Sequence, residues 1–188
     1  GPITLAEVTE QRAKLRCGKA AGLDGILPEM LKYGKEQIDK VLLPLFQECW
    51  CNTAVPDDEW STAKITWLYK ADDARKPGNY RGISLHSVLG KLYVSILNAR
   101  LTKFLETPVN GEKKISTHQN GFRTGEGRSC QEHILSLTQV LRPRKSEKKD
   151  SFVFFQDFSK AFDLVDHRLL HYKLYKMGVT GKLLQNIM

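Results

Sequence analysis

Long apolar runs are missing from this sequence of 188 residues. No hydrophobic stretch approaches the roughly 20 residues that a transmembrane helix needs. The N-terminal region also lacks the apolar segment of a signal peptide. We therefore predict that the chain has no membrane partner.

Cysteine is scarce, and the four cysteines show neither CxxC pairing nor the spacing of a zinc site. Cys49 and Cys51 flank Trp50 at the end of a helical pattern, where small buried thiols are common. This spacing disfavours a zinc-finger protein and favours reduced, structural cysteines. Reduced cysteines predict an intracellular location, in the nucleus or the cytoplasm.

Acidic residues are outnumbered by basic ones, 21 against 29, which gives a net charge of +8. Such an excess favours a polyanionic partner but does not identify it. The hydrophobic fraction of 41% and the charged fraction of 27% are ordinary for a folded protein.

The spacing of apolar residues predicts a mixture of helices and strands. Helical spacing recurs near residues 5–15, 28–33, 38–49, 88–105, 129–141, 169–175 and 183–187. Alternation over 63–69, a turn-rich segment and a second short strand over 80–85 predict a β-hairpin. A β-branched and aromatic run over 151–155 predicts a short buried strand, and the preceding residues 142–149 a charged connector. The fold class is therefore α+β with a modest antiparallel sheet.

Asp157 follows the 151–155 run and precedes a helix-like pattern. A carboxylate at the end of a buried strand, before a turn whose amides can face a ligand, suits a divalent cation that carries a nucleotide phosphate. The same pattern also occurs as a plain turn or helix cap, so the pattern alone leaves both interpretations open.

The amino-acid sequence around Asp157 is more specific than the pattern of a strand followed by an aspartate. The segment FQDFSKAFD at 155–163 resembles motif A of the reverse transcriptases of non-LTR (LINE-type) retrotransposons. Three upstream segments are similar to further motifs of that family, in the same order: KAAGLDGI at 19–26, GNYRGISL at 78–85 and QNGFR at 119–123. The resemblance covers roughly residues 18–188 and implies a partial right-hand polymerase fold. It implies an N-terminal helical segment over 1–60, fingers over 61–149 and a truncated start of the palm over 150–188.

The same resemblance implies templated nucleotidyl transfer by two Mg²⁺ ions, with an RNA or DNA template-primer and a dNTP as partners. Asp157 then matches the catalytic, metal-bridging carboxylate, and the carbonyl of Phe158 would reach the second ion. The implied nucleotide-binding residues are Arg81, Lys70, Lys160, Ala161 and Phe162, the last as a steric gate against a 2′-hydroxyl. The implied template-binding residues are Gly121, Phe122 and Arg123.

Each of these residues has a plainer alternative. Phe122 and Phe162 could be core aromatics, and Arg81 could be an ordinary surface residue. Asp163 and Asp166 are expected to orient the turn or cap the next helix. Gly82 stands where the family more often has proline, which leaves the placement of Arg81 open.

No second carboxylate pair of the aromatic-x-Asp-Asp type follows Asp157. One carboxylate and one carbonyl cannot hold two Mg²⁺ ions in reactive geometry. We therefore expect Mg²⁺ chemistry in a complete enzyme and no polymerisation by this chain alone. The apolar faces over 169–175 and 183–187 are expected to lack packing partners and to favour a homo-oligomer or docking of the missing palm and thumb.

Three functions fit these expectations. The first is a fragment of an RNA-directed DNA polymerase, and the second is a non-catalytic relic that binds nucleic acid. The third is a self-associating interaction module.

Overall fold

The computed structural model describes residues 1–53, 58–108, 114–123 and 128–188. Its regular elements, in chain order, are α1 (Leu5–Ala13), α2 (Pro28–Tyr33), α3 (Lys35–Asn52), α4 (Asp58–Ser61), β1 (Lys64–Tyr69), β2 (Tyr80–Leu85), α5 (Val88–Glu106), α6 (Cys130–Ser146), α7 (His167–Lys176) and α8 (Gly181–Ile187). β1 and β2 form a two-stranded antiparallel sheet. The predicted mixture of helices with a small antiparallel sheet is confirmed.

The chain divides into two compact units. The core unit comprises Gly1–Phe104 and Lys173–Met188, and the motif unit comprises Leu105–Tyr172. The three predicted domains, 1–60, 61–149 and 150–188, stay a prediction. Within the described residues, no helix combines the length and the apolarity needed to cross a membrane.

Local signals fix where the first helices of the core unit begin. Thr4 caps α1 through a reciprocal capping box with Glu7, as their spacing predicts. Pro28 occupies the first turn of α2, where its missing N–H costs no helical hydrogen bond. The α3 helix continues through Pro44.

An aromatic cluster forms the centre of the core unit. Phe46 of α3 lies between Trp60 and Tyr93, with ring centroids 6.1 Å and 5.5 Å away. Around it pack further buried residues: Ile3, Val8, Leu31, Leu42, Cys49, Trp50, Val88, Leu92, Ile96 and Leu97. All four cysteines are described and free; Cys49 is buried as expected, whereas Cys51 is exposed.

A buried ion pair joins α1 to α3 inside the core unit. Arg12 donates from Nε and Nη2 to the two carboxylate oxygens of Asp39, at 2.5 and 3.0 Å. Thr9 donates a further hydrogen bond to Asp39, at 2.8 Å. Burial raises the pKa of Asp39, but the hydrogen bonds from Arg12 and Thr9 outweigh it and leave the pKa below its ordinary value.

The C-terminal helices correct the expectation of wholly unpartnered apolar faces. Leu174 and Val179 are buried in the core unit, and Leu183 packs against its core. Asn186 of α8 accepts a hydrogen bond from the Tyr93 hydroxyl at 2.5 Å and donates to the Trp50 carbonyl at 3.2 Å. These contacts were invisible in the sequence because they join residues more than 90 positions apart.

The motif unit has no buried apolar residue among its described residues. Its longest helix, α6, follows the N-cap Ser129, which forms a capping box with Glu132. The predicted charged connector over 142–149 is corrected, because α6 continues to Ser146. Arginine and lysine are good helix formers, so a charged segment can prolong an established helix.

The predicted strand over 151–155 is wrong. Residues 151–158 have no regular secondary structure, and all of them are exposed. A strand requires a neighbour for its backbone N–H and C=O groups, and no described segment pairs with this one. The run has the composition of a strand, but composition does not supply the neighbouring strand that pairing requires.

Candidate functional site

The glycine-punctuated loop over 19–26 is anchored to the end of the hairpin. A Cβ on Gly22 would lie 2.6 Å from the Ser87 backbone nitrogen, so only glycine allows this approach. Asp24 accepts a hydrogen bond at 2.6 Å from the buried Ser87 hydroxyl, which itself accepts from the Gly90 N–H at 3.2 Å in the first turn of α5. These loop residues therefore position the chain that leaves the hairpin.

The hairpin presents two cations on one face. Leu68 pairs with Arg81 across the strands, and the Lys70 N–H donates to the Asn79 carbonyl just beyond β1 at 2.8 Å. Because side chains alternate between faces with a period of two, Lys70 lies on the same face as Leu68 and hence as Arg81. Both cations are exposed, an arrangement that suits an anionic ligand.

The opposite face of the hairpin is aromatic. Trp67, Tyr69 and Tyr80 share it, with the tyrosine rings 5.5 Å apart. Trp67 pairs with Gly82, and a Cβ there would lie 3.6 Å from the indole and 3.2 Å from the Ile65 side chain. A Cβ at position 82 would therefore crowd the Ile65 side chain but meet the indole at ordinary van der Waals distance. Arg81, beside this glycine, pairs with Leu68.

Arg123 of the motif unit holds a loop together. Its Nε and Nη2 donate to the two carboxylate oxygens of Glu106, each at 2.6 Å. Its Nη1 donates to the carbonyls of Ser116 and Gln119, at 2.7 and 2.9 Å. The side chain is only 4% exposed, and the hydrogen bond with Glu106 raises the pKa of Arg123. All three guanidinium nitrogens therefore donate to acceptors within the protein.

The neighbouring Phe122 projects from that loop. Its φ is +60°, the left-handed region that a bulky residue rarely adopts, and 97% of its surface is exposed. Its ring lies edge-on to Phe162, with centroids 6.0 Å apart, and Phe162 is 78% exposed. The alternative that both are core aromatics is therefore wrong. Gly121 precedes Phe122, and its carbonyl accepts from the Gln119 amide at 3.1 Å.

Asp157 lies in the exposed segment that precedes the motif A turn. Its Oδ1 accepts a hydrogen bond from the Phe158 N–H at 3.0 Å. Lys160 has a φ of +49°, and its carbonyl accepts from the Leu164 N–H at 3.1 Å, so a single helical turn encloses Ala161 and Phe162. Asp166 caps α7 by accepting from the Leu169 N–H at 3.0 Å, as expected.

The residues around Asp157 do not make a metal site by themselves. Across the described ranges, no group of three or more histidine, cysteine, aspartate or glutamate side chains gathers at a spacing that could hold an ion. Mg²⁺ requires about six oxygen ligands in near-octahedral geometry, and Asp157 supplies one carboxylate. The donor set present does not fit a complete Mg²⁺ site.

The structure thus groups the predicted residues in two sets. The core unit carries Arg81 and Lys70 on one hairpin face, and the motif unit brings Phe122 beside Phe162. Sequence reasoning missed Glu106, because nothing in the local pattern of α5 marks it as the partner of a residue 17 positions later. It also missed the aromatic face of the hairpin, although the alternation of Trp67 and Tyr69 could have revealed it.

Comparisons with known proteins connect these sets to one family. The family model described as reverse transcriptase (RNA-dependent DNA polymerase) matches residues 69–188. A probable RNA-directed DNA polymerase from transposon BS of Drosophila melanogaster is 29% identical over 94% of this chain and 19% of its own length. The Pol polyprotein of the type-1 retrotransposable element R1 of Bradysia coprophila is 27% identical over 86% of this chain and 15% of its own.

A third relative extends the pattern. The Pol polyprotein of the type-2 retrotransposable element R2DM of Drosophila melanogaster is 27% identical over 91% of this chain and 15% of its own length. The chain spans between 15% and 19% of the length of these three relatives. The resemblance stated from the four motifs is confirmed.

Proposed function

Because its match over residues 69–188 shows that this chain belongs to the reverse transcriptases (RNA-dependent DNA polymerases), we propose that it supplies the fingers and the opening of the palm of a right-hand polymerase. The relatives come from retrotransposable elements, which supports a role in copying the RNA of such an element. In this proposal the partners are an RNA or DNA template-primer and a dNTP.

The observation that carries the proposal is the shared hairpin face of Arg81 and Lys70. Both residues lie within the family match, which begins at residue 69, and both are exposed. The forked donors of a guanidinium suit the oxygens of a triphosphate, and an ammonium adds a second positive charge. We assign these two residues to the triphosphate of the incoming nucleotide.

The motif A turn is assigned to the rest of the nucleotide. The backbone amides of Lys160 and Ala161 would donate to phosphate oxygens, and the exposed ring of Phe162 would press against the sugar and disfavour a 2′-hydroxyl. Asp157 is assigned the catalytic role, as one carboxylate of a site that needs further carboxylates. Mg²⁺, when bound in a complete enzyme, would supply Lewis-acid stabilisation of the reacting oxygens, with the Phe158 carbonyl beside it.

Template binding is assigned to the loop that ends at Arg123. Gly121 and Phe122 would face the strand, and the exposed ring of Phe122 suits stacking on a base. The resemblance implies direct contact between Arg123 and a template phosphate, whereas we propose that Arg123 acts by holding this loop in place. Such contact would require the guanidinium to exchange one of the partners that now hold it.

Two assays test the proposal. In the first, the affinity for a labelled primer annealed to an RNA template is measured with and without the complementary dNTP. The dNTP should tighten binding, and both Arg81→Ala and Lys70→Ala should abolish that gain. Lys40→Ala removes an exposed lysine from α3 and should leave the gain intact. An unchanged gain in the two hairpin variants would contradict the assigned triphosphate role.

The second assay is primer extension by the chain alone, beside Asp157→Ala. We expect no extension from either protein, since no metal-binding group of carboxylates gathers at Asp157 among the described residues. Extension that disappears in Asp157→Ala would contradict this expectation and would show that a complete site assembles.

A further inference from the structure

The aromatic face of the hairpin contains a cavity that the assigned nucleotide and template contacts leave unused. Its volume is about 300 Å³, and it is lined by Trp67, Ala74, Arg75, Pro77 and Tyr80. This volume is at the lower end of the range for small-molecule sites. The cavity lies away from Arg81 and Lys70, because Trp67 and Tyr80 occupy the other face of the two strands.

Hydrogen bonds within the 70–80 loop hold the cavity wall in place. The Tyr80 hydroxyl donates to the Ala74 carbonyl at 2.9 Å. The Asn79 amide donates to the Asp73 carbonyl at 2.9 Å, and the Arg75 N–H donates to the Asp73 carboxylate at 3.0 Å. A wall fixed in this way costs little ordering entropy when a ligand binds.

Trp67 supplies the largest flat surface of the cavity. The indole lies over Gly82 of the neighbouring strand, and 66% of the residue is exposed. An exposed indole beside a phenol ring is a sequence-tolerant stacking surface, because every base has a π-face.

Positive charge lies at the rim of the same cavity. The Arg75 side chain is 95% exposed, and its Nε is 3.7 Å from the Asp73 carboxylate, too far for a direct hydrogen bond. Lys76 is next to it and is also exposed. Together with a net charge of +8, these cations favour a ligand that joins flat rings to phosphates.

We propose that this cavity binds one base of a single-stranded nucleic acid, stacked on Trp67 beside Tyr80, with Arg75 contacting an adjacent phosphate. The proposal rests on the proposed function in that the single strand is the template. It adds a second template contact in the core unit, separate from the loop that carries Phe122. The charge at the rim favours nucleic acid over an uncharged peptide that could also fill an aromatic cavity.

The test combines tryptophan fluorescence with binding of a labelled 12-nucleotide oligouridine. Trp50 is buried and Trp60 packs against the core, so Trp67 is the tryptophan most open to quenching by a bound base. Oligouridine should quench the emission, and Trp67→Ala should weaken binding about 5- to 150-fold. Trp67→Phe should restore most of the affinity, because a ring still stacks.

Two further variants separate stacking from charge. Arg75→Ala should lower the slope of log affinity against log salt by about 0.7, the value for one phosphate contact on a single strand. Ile65→Ala, on the same face but outside the cavity lining, should leave affinity and quenching unchanged. Melting curves for each variant verify that the fold persists, which is expected because the Trp67 side chain is mostly exposed.

The outcomes distinguish the two proposals. Unchanged affinity in Trp67→Ala, without quenching in the parent chain, would overturn the cavity proposal and leave the proposed function standing. Absence of any oligouridine binding would overturn both. Quenching by a proline-rich peptide but not by oligouridine would also overturn the cavity proposal. In the variant Arg81→Ala, loss of the affinity gain from the dNTP together with continued quenching of tryptophan emission by oligouridine would support both proposals.

Discussion

The core unit and the motif unit differ in where their apolar residues lie. The core unit buries an aromatic cluster around Phe46 and ties its first and last helices to it. The motif unit leaves Phe122, Phe154 and Phe162 exposed and buries none of its described apolar residues. The buried apolar packing among the described residues thus lies in the core unit.

This difference shows that the motif A segment is recognisable in the sequence although its residues are exposed and no described segment pairs with it as a strand. The pattern before Asp157 predicts a strand, yet residues 151–158 have no strand partner among the described residues. Phe122 and Lys160 have left-handed backbones. Such a backbone costs about 1–3 kcal/mol for each residue, and Lys35, Thr53, Asp72 and Lys148 share it.

Removal of the Phe46 ring should give the largest loss of stability. Phe46→Ala should lower the free energy of unfolding by about 3–5 kcal/mol, because it empties the centre of the aromatic cluster. Chemical denaturation monitored by circular dichroism measures the loss. Phe154→Ala, the same substitution in the exposed segment of the motif unit, should change stability by less than about 0.5 kcal/mol. Similar losses in both variants would remove the contrast between the two units.

An electrostatic contact of the core unit gives a smaller, pH-dependent effect. Arg100 donates two hydrogen bonds to Glu7, at 2.6 and 2.8 Å, and mainly this contact lowers the pKa of Glu7 from 4.5 to about 2. A lowered carboxyl pKa stabilises the fold fully above the unfolded value. The contribution should fade as pH falls from about 4.5 to about 2.

The variant Glu7→Gln removes the carboxylate charge from this contact and from the capping box with Thr4. At pH 7 it should cost about 1–2 kcal/mol, less than a buried charge pair because Glu7 is partly exposed. The difference between the parent chain and the variant should shrink toward zero near pH 2. Urea titrations at several pH values measure it, and a difference that is independent of pH would contradict the assigned contact.

Phe122→Gly, in the motif unit, should keep or raise the stability of the fold, unlike the two core-unit variants. Glycine adopts a φ of +60° without strain, and the ring it removes is almost fully exposed, so stability should stay equal or rise by up to about 1 kcal/mol. Template affinity should fall, because the stacking ring is gone. A loss of stability measured by thermal melting would mean that Phe122 packs against something essential.

The smallest expected effect concerns salt dependence. Arg123→Gln should lower the melting temperature of the protein, because the guanidinium pairs with Glu106 and two carbonyls. It should leave the slope of log affinity against log salt unchanged for oligonucleotide binding. A phosphate contact would instead flatten the slope. Measurement of affinity across a salt series decides between the two roles.

The sequence revealed local structure better than long-range structure. The capping boxes at Thr4 and Ser129 and the alternation of β1 were readable because their partners lie within a few residues. The Arg123–Glu106 pair and the return of α8 onto Tyr93 were not, since local periodicity carries no information about distant partners. The 151–155 run shows the converse, because strand-like composition predicted pairing that requires another segment.

Hydrogen exchange followed by mass spectrometry tests the contrast between the units most directly. The amides of α3 and α5 should be strongly protected, because they surround the Phe46 cluster, and those of residues 151–158 should exchange at nearly unprotected rates. Slow exchange over residues 151–158 in the isolated chain would contradict the account, because it would mean that the motif A segment is already paired as a strand.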